Sequence, residues 1–429
     1  MKIGLEVHVA LPTKSKLLCS CSADGDEPNT AICPTCMGFP GSKPMLNEEA
    51  LRSTVAISRA LNCMVSKETY FIRKVYFYPD LPKSFQITQL EGAVGHGGYV
   101  SLSNKKIRIR RVQLEEDPAK IIREDEYSLL DFNRSGVALN EIVTEPDIES
   151  ETELREFVSE LRSILYYAGV DINKEMKADL NISIGTERVE IKNVTGIKNL
   201  IDAQRFEEKR QSDLIRQAQK IPKETRSYNA QTMSTVSSRE KETDEEYGFI
   251  YEPDLTFYKS GDIVTPDAVV ASEVAAEYAK KGASKDTIKE LIMFDRDALR
   301  LLRYGTKNAR IGTVINAIEL LKRSASVQMP EKSFGKMLEY MERGMLLNDD
   351  AIKSLAKGTD VKVASAAIST DEIDKAIREL VIQRPELVNE YKTNPKAFNF
   401  IVGILLKKYK VNPKYISERL SEVLKELKQ

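Results

Sequence analysis

Residues 3–9 read IGLEVHV, setting apolar Ile3, Leu5, Val7 and Val9 in strict alternation with Gly4, Glu6 and His8. Successive side chains of a β-strand point to opposite faces, so this stretch predicts a strand that buries one face and presents Glu6 and His8 together on the other. The pattern returns at residues 177–185, where Leu180, Ile182 and Ile184 alternate with Asp179, Asn181 and Ser183. It returns again at residues 187–193, where Val189 and Ile191 oppose Arg188, Glu190 and Lys192. A fourth run, residues 107–117, shifts its alternation at Arg110 and Arg111, which predicts a bulge, and ends in Glu115, Glu116 and Asp117. Together these runs predict an α+β protein built on an antiparallel sheet with one face on the core and the other wet.

A solvated face is the plain alternative for any one such strand. Several carboxylates and an imidazole on one sheet nevertheless suit one or two Mg²⁺ ions, and interleaved Lys and Arg suit phosphates. That combination points to phosphoryl transfer from a nucleotide. The chain has no GxxxxGK[ST] loop, and the glycines at 92, 95, 97 and 98 lack the strand-to-helix setting of a dinucleotide fingerprint. Its two histidines, His8 and His96, are too few for a histidine-based zinc hydrolase, and His96 reads as structural or exposed in a Gly-rich turn.

Four of the five cysteines fall at Cys19, Cys21, Cys33 and Cys36, a CxC and a CxxC pair separated by 11 residues. With Pro34, Gly38, Pro40 and Gly41 forcing turns, this is the spacing of a structural zinc site with four thiolates and no open position. A disulfide or a redox CxxC is the alternative reading, and neither accounts for the CxC partner. Cys63, in a helical pattern, reads as a small buried hydrophobe.

The 429 residues carry 64 Lys+Arg against 65 Asp+Glu, which excludes a wholly basic nucleic-acid coat and leaves any such contact to a local patch. No apolar run approaches the roughly 20 residues that cross a bilayer, and Glu6 and His8 interrupt what a signal peptide would keep apolar. The protein is therefore expected in the cytoplasm, off the membrane. Residues 150–169 predict a helix with a Ser150/Glu153 capping box and a Gly169 stop. Residues 219–247 read as an extended or mobile connection. Beyond Ala283 only helices are expected, near 285–303, 311–323, 331–345, 371–382, 395–408 and 413–428. The stretch 395–429 has eight Lys or Arg against three Glu, either a solvated helix face or a contact to phosphates.

Two loops are dense in chemistry: residues 73–89, RKVYFYPDLPKSFQITQ, and residues 131–142, DFNRSGVALNEI. In order and spacing, IGLEVHV, the two cysteine pairs flanking EPNTAICP, RKVYFYPDLPKSFQ, LEEDPAK, DFNRSG, EIVTEPDI, DLNIS, VEIKN, ETR and EPDL resemble the B subunits of aspartyl/glutamyl-tRNA amidotransferases. The resemblance runs from residue 3 to about 255 and resumes in the tail, at VGILLKK. It departs where EEDPAK stands for the family's EEDAGK and EEYGFIYEPDL for its DYRYFPEPDL.

The resemblance implies a cradle-shaped catalytic domain of glutamine-synthetase-like type at 1–285 holding the zinc knuckle at 19–36. A helical domain at 286–358 and a tRNA-binding helical tail domain at 359–429 would follow. It implies ATP-dependent amidation of Glu-tRNA(Gln) or Asp-tRNA(Asn) through an acyl phosphate. Ammonia would come from a partner, the amidase or A subunit, joined by a small C subunit. The Mg²⁺ ligands implied are Glu6, His8, Glu116, Asp179 and Glu190, although Glu116 shares its strand parity with Val112 and Leu114. Lys74 and Lys83 would face ATP or the developing phosphate, with Arg134 as a further cofactor contact, and Cys19, Cys21, Cys33 and Cys36 would hold zinc. Lys74, Lys83, Glu116 and Glu190 are the catalytic set. Two other readings remain: a tRNA-binding scaffold whose site has lapsed, and a small-molecule amide ligase.

Overall fold

The computed structural model describes residues 1–174, 176–240, 248–324, 328–343, 345–347, 349–358, 367–383, 395–409 and 413–426. The chain divides into two compact units, Met1–Glu273 and Val274–Gln429.

The first unit is built on β1 (Lys2–Ala10), β2 (Met64–Val65), β3 (Ile72–Val75), β4 (Phe85–Thr88), β5 (Gly95–Ser101), β6 (Lys106–Glu116), β7 (Lys120–Arg123), β8 (Ser128–Asp131) and β9 (Ala138–Thr144). It continues with β10 (Lys177–Ser183), β11 (Val189–Thr195), β12 (Glu224–Asn229), β13 (Ser234–Glu240) and β14 (Gly248–Tyr251). Its helices are α1 (Glu48–Ala60), α2 (Glu151–Tyr167) and α3 (Ile197–Arg216). Nine strands form one sheet in the order β13-β12-β11-β10-β1-β9-β6-β5-β2, and β14-β3-β4 form a smaller one. β1 is central: it pairs antiparallel with β10, placing Glu6 opposite Asp179, and with β9, placing His8 opposite Glu141. Ile3, Leu5 and Val7 are at most 1% exposed on the other face, in one core with Leu114, Leu180, Ile191 and Phe157. Burying each such side chain contributes about 1.5–3 kcal/mol.

The sheet is antiparallel throughout except at β11–β12, which run parallel, a departure from the expected all-antiparallel pattern. The 20-residue helix α3 supplies the crossover that a parallel pair requires. Residues 224–240 are not a loose connection but the edge hairpin β12–β13. Arg226 reaches back to fully buried Glu207 of α3 at 3.0 Å, anchoring the hairpin through an ion pair that has no apolar signature in the sequence. Residues 241–247 lie outside the described residues. The bulge expected at Arg110 and Arg111 is present as a register shift between Ile109 and Arg111. α2 begins at Ser150, whose side chain accepts the Glu153 amide, and ends before Gly169 at φ +99°. His96 lies within β5 opposite Arg111, not in a turn, and Cys63 follows the end of α1.

Among the described residues the second unit is helical with one exception: Met345–Leu347 pairs antiparallel with Ala367–Ser369. This corrects the expectation of helices only, and the pair bridges the expected 358/359 domain boundary. The single stretch expected over 285–303 is two helices, Lys285–Ile292 and Arg296–Gly305, because Phe294 turns left-handed at φ +58° and Asp295 caps the second. Thr370–Gln383, Pro395–Tyr409 and Pro413–Glu426 share a core of Ile373, Ile377, Ile401, Leu405, Ile416 and Leu420. No helix among the described residues is long and apolar enough to cross a membrane.

Gly98 of β5 lies against the end of α1, where a Cβ would collide with the Leu61 carbonyl oxygen and the Cys63 thiol. Backbone cannot yield as a side chain can, so Gly98→Ala should destabilise the first unit by about 2–3 kcal/mol. A lowered urea midpoint at unchanged slope is the expected result.

Candidate active site and metal centres

The polar face of the large sheet carries two acidic clusters. Glu6, Asp179 and Glu190 form one, and His8, Glu115 and Glu141 the other; within each set one ligand atom per residue lies within 4.8 Å of the rest. Neighbouring strands β11, β10, β1, β9 and β6 each contribute, so backbone pairing alone sets the spacing. The face is not wet as the alternation suggested: Glu115, Glu141, Asp179, Asn181 and Glu190 are all buried.

In the first cluster a bulge does the local work. The β10–β11 register shifts between Ala178 and Leu180, and Asn193 sits opposite it at φ +55°. Asp179 therefore meets two residues of β11: it accepts from the Asn193 amide at 2.7 Å and from the Lys192 ammonium at 2.8 Å. Lys192 also lies 3.0 Å from Glu190, whose other oxygen accepts from the Thr225 hydroxyl at 3.3 Å. Burial, and then Glu141, push the Glu6 carboxyl above its usual range. Asn181, in register with Glu190, approaches Glu6 at 3.5 Å through its amide nitrogen, while its carbonyl oxygen is buried without a protein partner. Three carboxylates and a spare amide oxygen are the hard-oxygen donor set that Mg²⁺ takes.

In the second cluster His8 Nε2 lies 3.3 Å from Glu115, and Thr88 reaches the other Glu115 oxygen at 3.4 Å. Glu141 accepts from the Gln113 amide and lies 3.8 Å from Arg111. Burial, reinforced by Glu141, pushes Glu115 up to about 7. Burial pulls the His8 pKa down, but Glu115, Glu141 and Asp179 outweigh it and raise the net value. The charge of Lys74, on β3, acts on Glu115.

Of the implied Mg²⁺ ligands, the structure brings Glu6, Asp179 and Glu190 together and sets His8 in the adjoining cluster. Glu116 is in neither. β6 runs through Glu116 without a break, so Glu116 keeps the parity of Val112 and Leu114 and points to the opposite side. There it binds Lys83 at 2.5 and 2.6 Å and accepts from the Ile87 amide at 3.1 Å. This pair lines a cavity of about 200 Å³ that also touches Cys19, Cys36, Arg73 and Glu252. Arg134 donates to the carbonyls of Pro118 and Ala119 at 2.9 and 2.7 Å, bracing the EEDPAK loop. Glu115 and Glu141 escaped the sequence reading, although alternation with Leu114 and Ile142 assigns both to the polar face.

Cys19, Cys21, Cys33 and Cys36 converge to within the same 4.8 Å limit. Lys16, fully buried, brings its ammonium to 3.7 Å from the Cys36 sulfur and 3.2 Å from the Phe132 carbonyl. A hydrogen bond from Cys19, with Lys16 in support, lowers the Cys36 pKa. Four thiolates around Zn²⁺ carry two net negative charges, so a buried ammonium beside them fits a metal knuckle.

The family described as the GatB/GatE catalytic domain matches residues 1–264. The B subunit of the aspartyl/glutamyl-tRNA(Asn/Gln) amidotransferase of Saccharolobus solfataricus is 36% identical, with 95% of each chain covered. The protein of the same name from Thermodesulfovibrio yellowstonii is 34% identical, with 99% of each chain covered. That of Methanoregula boonei is 35% identical over 95% of this chain and 94% of its own.

Glu115 keeps its proton in the folded chain up to about pH 7, whereas the unfolded chain releases it near 4.5. Between these values the unfolded state binds fewer protons, so stability falls as pH rises. Glu115→Gln removes this loss: the variant should match wild type at pH 5 and exceed it by about 2–3 kcal/mol at pH 8 in urea unfolding without divalent cations.

Proposed function

The chain belongs to the family of aspartyl/glutamyl-tRNA(Asn/Gln) amidotransferase B subunits, and from that premise we propose how its first unit contributes to a tRNA-dependent amidotransferase. The reaction proposed is ATP-dependent amidation of Glu-tRNA(Gln), Asp-tRNA(Asn) or both. The side-chain carboxylate of the esterified amino acid attacks the γ-phosphorus of ATP, the bond to ADP breaks, and an acyl phosphate forms. Ammonia from a partner amidase then attacks the acyl carbon, phosphate leaves, and a proton is lost as the amide forms.

The observation that carries this reading is the pair of acidic clusters side by side on one sheet face. A carboxylate is a poor electrophile until one oxygen becomes a phosphate, and the transfer concentrates negative charge that must be neutralised. Mg²⁺ held by Glu6, Asp179 and Glu190, and by His8, Glu115 and Glu141, would supply that neutralisation. Lys74, whose charge acts on Glu115, would meet the phosphoryl oxygens. The Thr225 hydroxyl and the Asn193 amide hold Glu190 and Asp179 in their rotamers. A small third polypeptide completes the proposed complex.

The basic stretch 395–429 is the proposed tRNA contact. Within it Arg419 pairs with Asp374 at 2.5 Å.

Phosphate release from ATP by the chain with its amidase partner tests the reading. Charged, misacylated tRNA should stimulate release, and Glu190→Gln should lower it by at least about 100-fold with the fold intact, since one cation ligand is lost. Wild-type tRNA affinity without phosphate release would leave a tRNA-binding scaffold instead. Elemental analysis should find one zinc per chain, and Cys36→Ser should lose the metal and lower the unfolding midpoint. Retention of full zinc by that variant would remove the knuckle.

A further inference from the structure

Lys192 occupies the position toward which the first acidic cluster converges. Its Nζ lies 2.8 Å from Asp179 Oδ2 and 3.0 Å from Glu190 Oε1, and its charge also acts on Glu6. The remaining oxygens of both partners point elsewhere, Asp179 Oδ1 to the Asn193 amide and Glu190 Oε2 to the Thr225 hydroxyl. Each carboxylate therefore turns one oxygen inward, and the ammonium bridges them. The buried Asn181 carbonyl oxygen stays without a protein partner in the same cluster.

A divalent cation held by the same inward oxygens would sit about 2.1 Å from each, too close to the ammonium for both charges to remain. We propose that Lys192 is an exchangeable counter-ion, holding Asp179 and Glu190 in ligand geometry until a divalent cation displaces its ammonium toward the anionic substrate. The inference rests on the reading of this cluster as a cation site. Lysine suits the task because its ammonium is a point charge on a flexible stem, with none of the fixed fork that commits an arginine to a carboxylate. The side chain is one-third exposed, so it has an open direction in which to swing. Its stem spans four methylenes, and the released charge stays beside the cluster, where a phosphate or acyl phosphate oxygen bound to the cation would meet it. Lys192 is thus a positioning residue for the carboxylates and a charge partner for the substrate.

Competition of this kind has a measurable sign. Removing the ammonium must raise cation affinity, because the cation no longer has to displace a bound charge. Free Mn²⁺ is read by electron paramagnetic resonance in titrations of the full chain, without ATP or tRNA. Lys192→Met should bind Mn²⁺ at least about tenfold more tightly than wild type at the site abolished by Glu190→Gln. Without cation the Met variant should unfold at lower temperature than wild type, and Mn²⁺ should raise its midpoint by the larger increment. Lys192→Arg should bind Mn²⁺ more weakly than wild type. If Lys192→Met does not fold, Lys192→Gln, which keeps a donor for Asp179, carries the same expectation. Unchanged or weaker Mn²⁺ binding in the neutral variant, with Glu190→Gln still losing the site, overturns the counter-ion role alone. Mn²⁺ binding indifferent to Glu190→Gln overturns the cation reading of the cluster and this inference with it.

Discussion

Everything at the candidate site depends on the parity of one strand. β1 is paired on both edges, so its register is fixed twice, by Glu6 opposite Asp179 and by His8 opposite Glu141. A slip of one residue would turn Ile3, Leu5 and Val7 to the polar face and drive Glu6 and His8 into the core. The apolar side therefore enforces the chemistry of the other side. Hydrophobic burial holds the strand in place, and the acidic clusters follow without any loop having to position them. Sites built this way are rigid, because moving a ligand means breaking ladder hydrogen bonds and exposing core at once.

The cost of that arrangement is electrostatic. Glu6, Glu115, Glu141, Asp179 and Glu190 crowd one sheet face and repel one another, which is why burial and mutual repulsion raise Glu6 and Glu115 together. The fold offsets the charge with cations: Lys192 between Asp179 and Glu190 in the first cluster, His8 and the charge of Lys74 at the second. Lys83 does the same for Glu116 on the far side of β6. Of these cations, Lys192 is the one that a divalent metal would displace under the proposed exchange, so the first acidic cluster is held together by a charge that is separable from it. Stability and cation affinity would then be opposed at that position.

Much of this was legible in the sequence because alternation is a local signal. The strands carrying Glu6, His8, Asp179 and Glu190 show a clean period of two, and the structure follows them within a residue or two at each end. Ser150 and Glu153 announced α2 in the same way. What escaped were features fixed by tertiary contact. The hairpin β12–β13 contains few large apolar residues and is held by the Arg226–Glu207 ion pair, so no hydropathy pattern marks it. The strand pair Met345–Leu347 with Ala367–Ser369 is too short to have a period. Phe294 divides two helices by a single left-handed residue, which glycine would have signalled and phenylalanine does not. The burial of the polar face was missed for a related reason, since alternation distinguishes two faces without saying which of them meets water.

Glu115 and Glu116 show how far parity reasoning reaches. Adjacent in sequence and identical in chemistry, they are separated by the thickness of a strand: one meets His8 at 3.3 Å, the other Lys83 at 2.5 Å beside the cysteine knuckle and its cavity. Family resemblance pointed to Glu116 as a cation ligand, whereas its shared parity with Val112 and Leu114 pointed away from the acidic face. The continuous ladder of β6 through Glu116 keeps it on the side of Val112 and Leu114. A consequence is mechanical. Because both side chains hang on one uninterrupted strand, any shift of β6 that moves Glu115 also moves Glu116 against Lys83, so the acidic centre and the cavity behind it are joined through a single peptide unit.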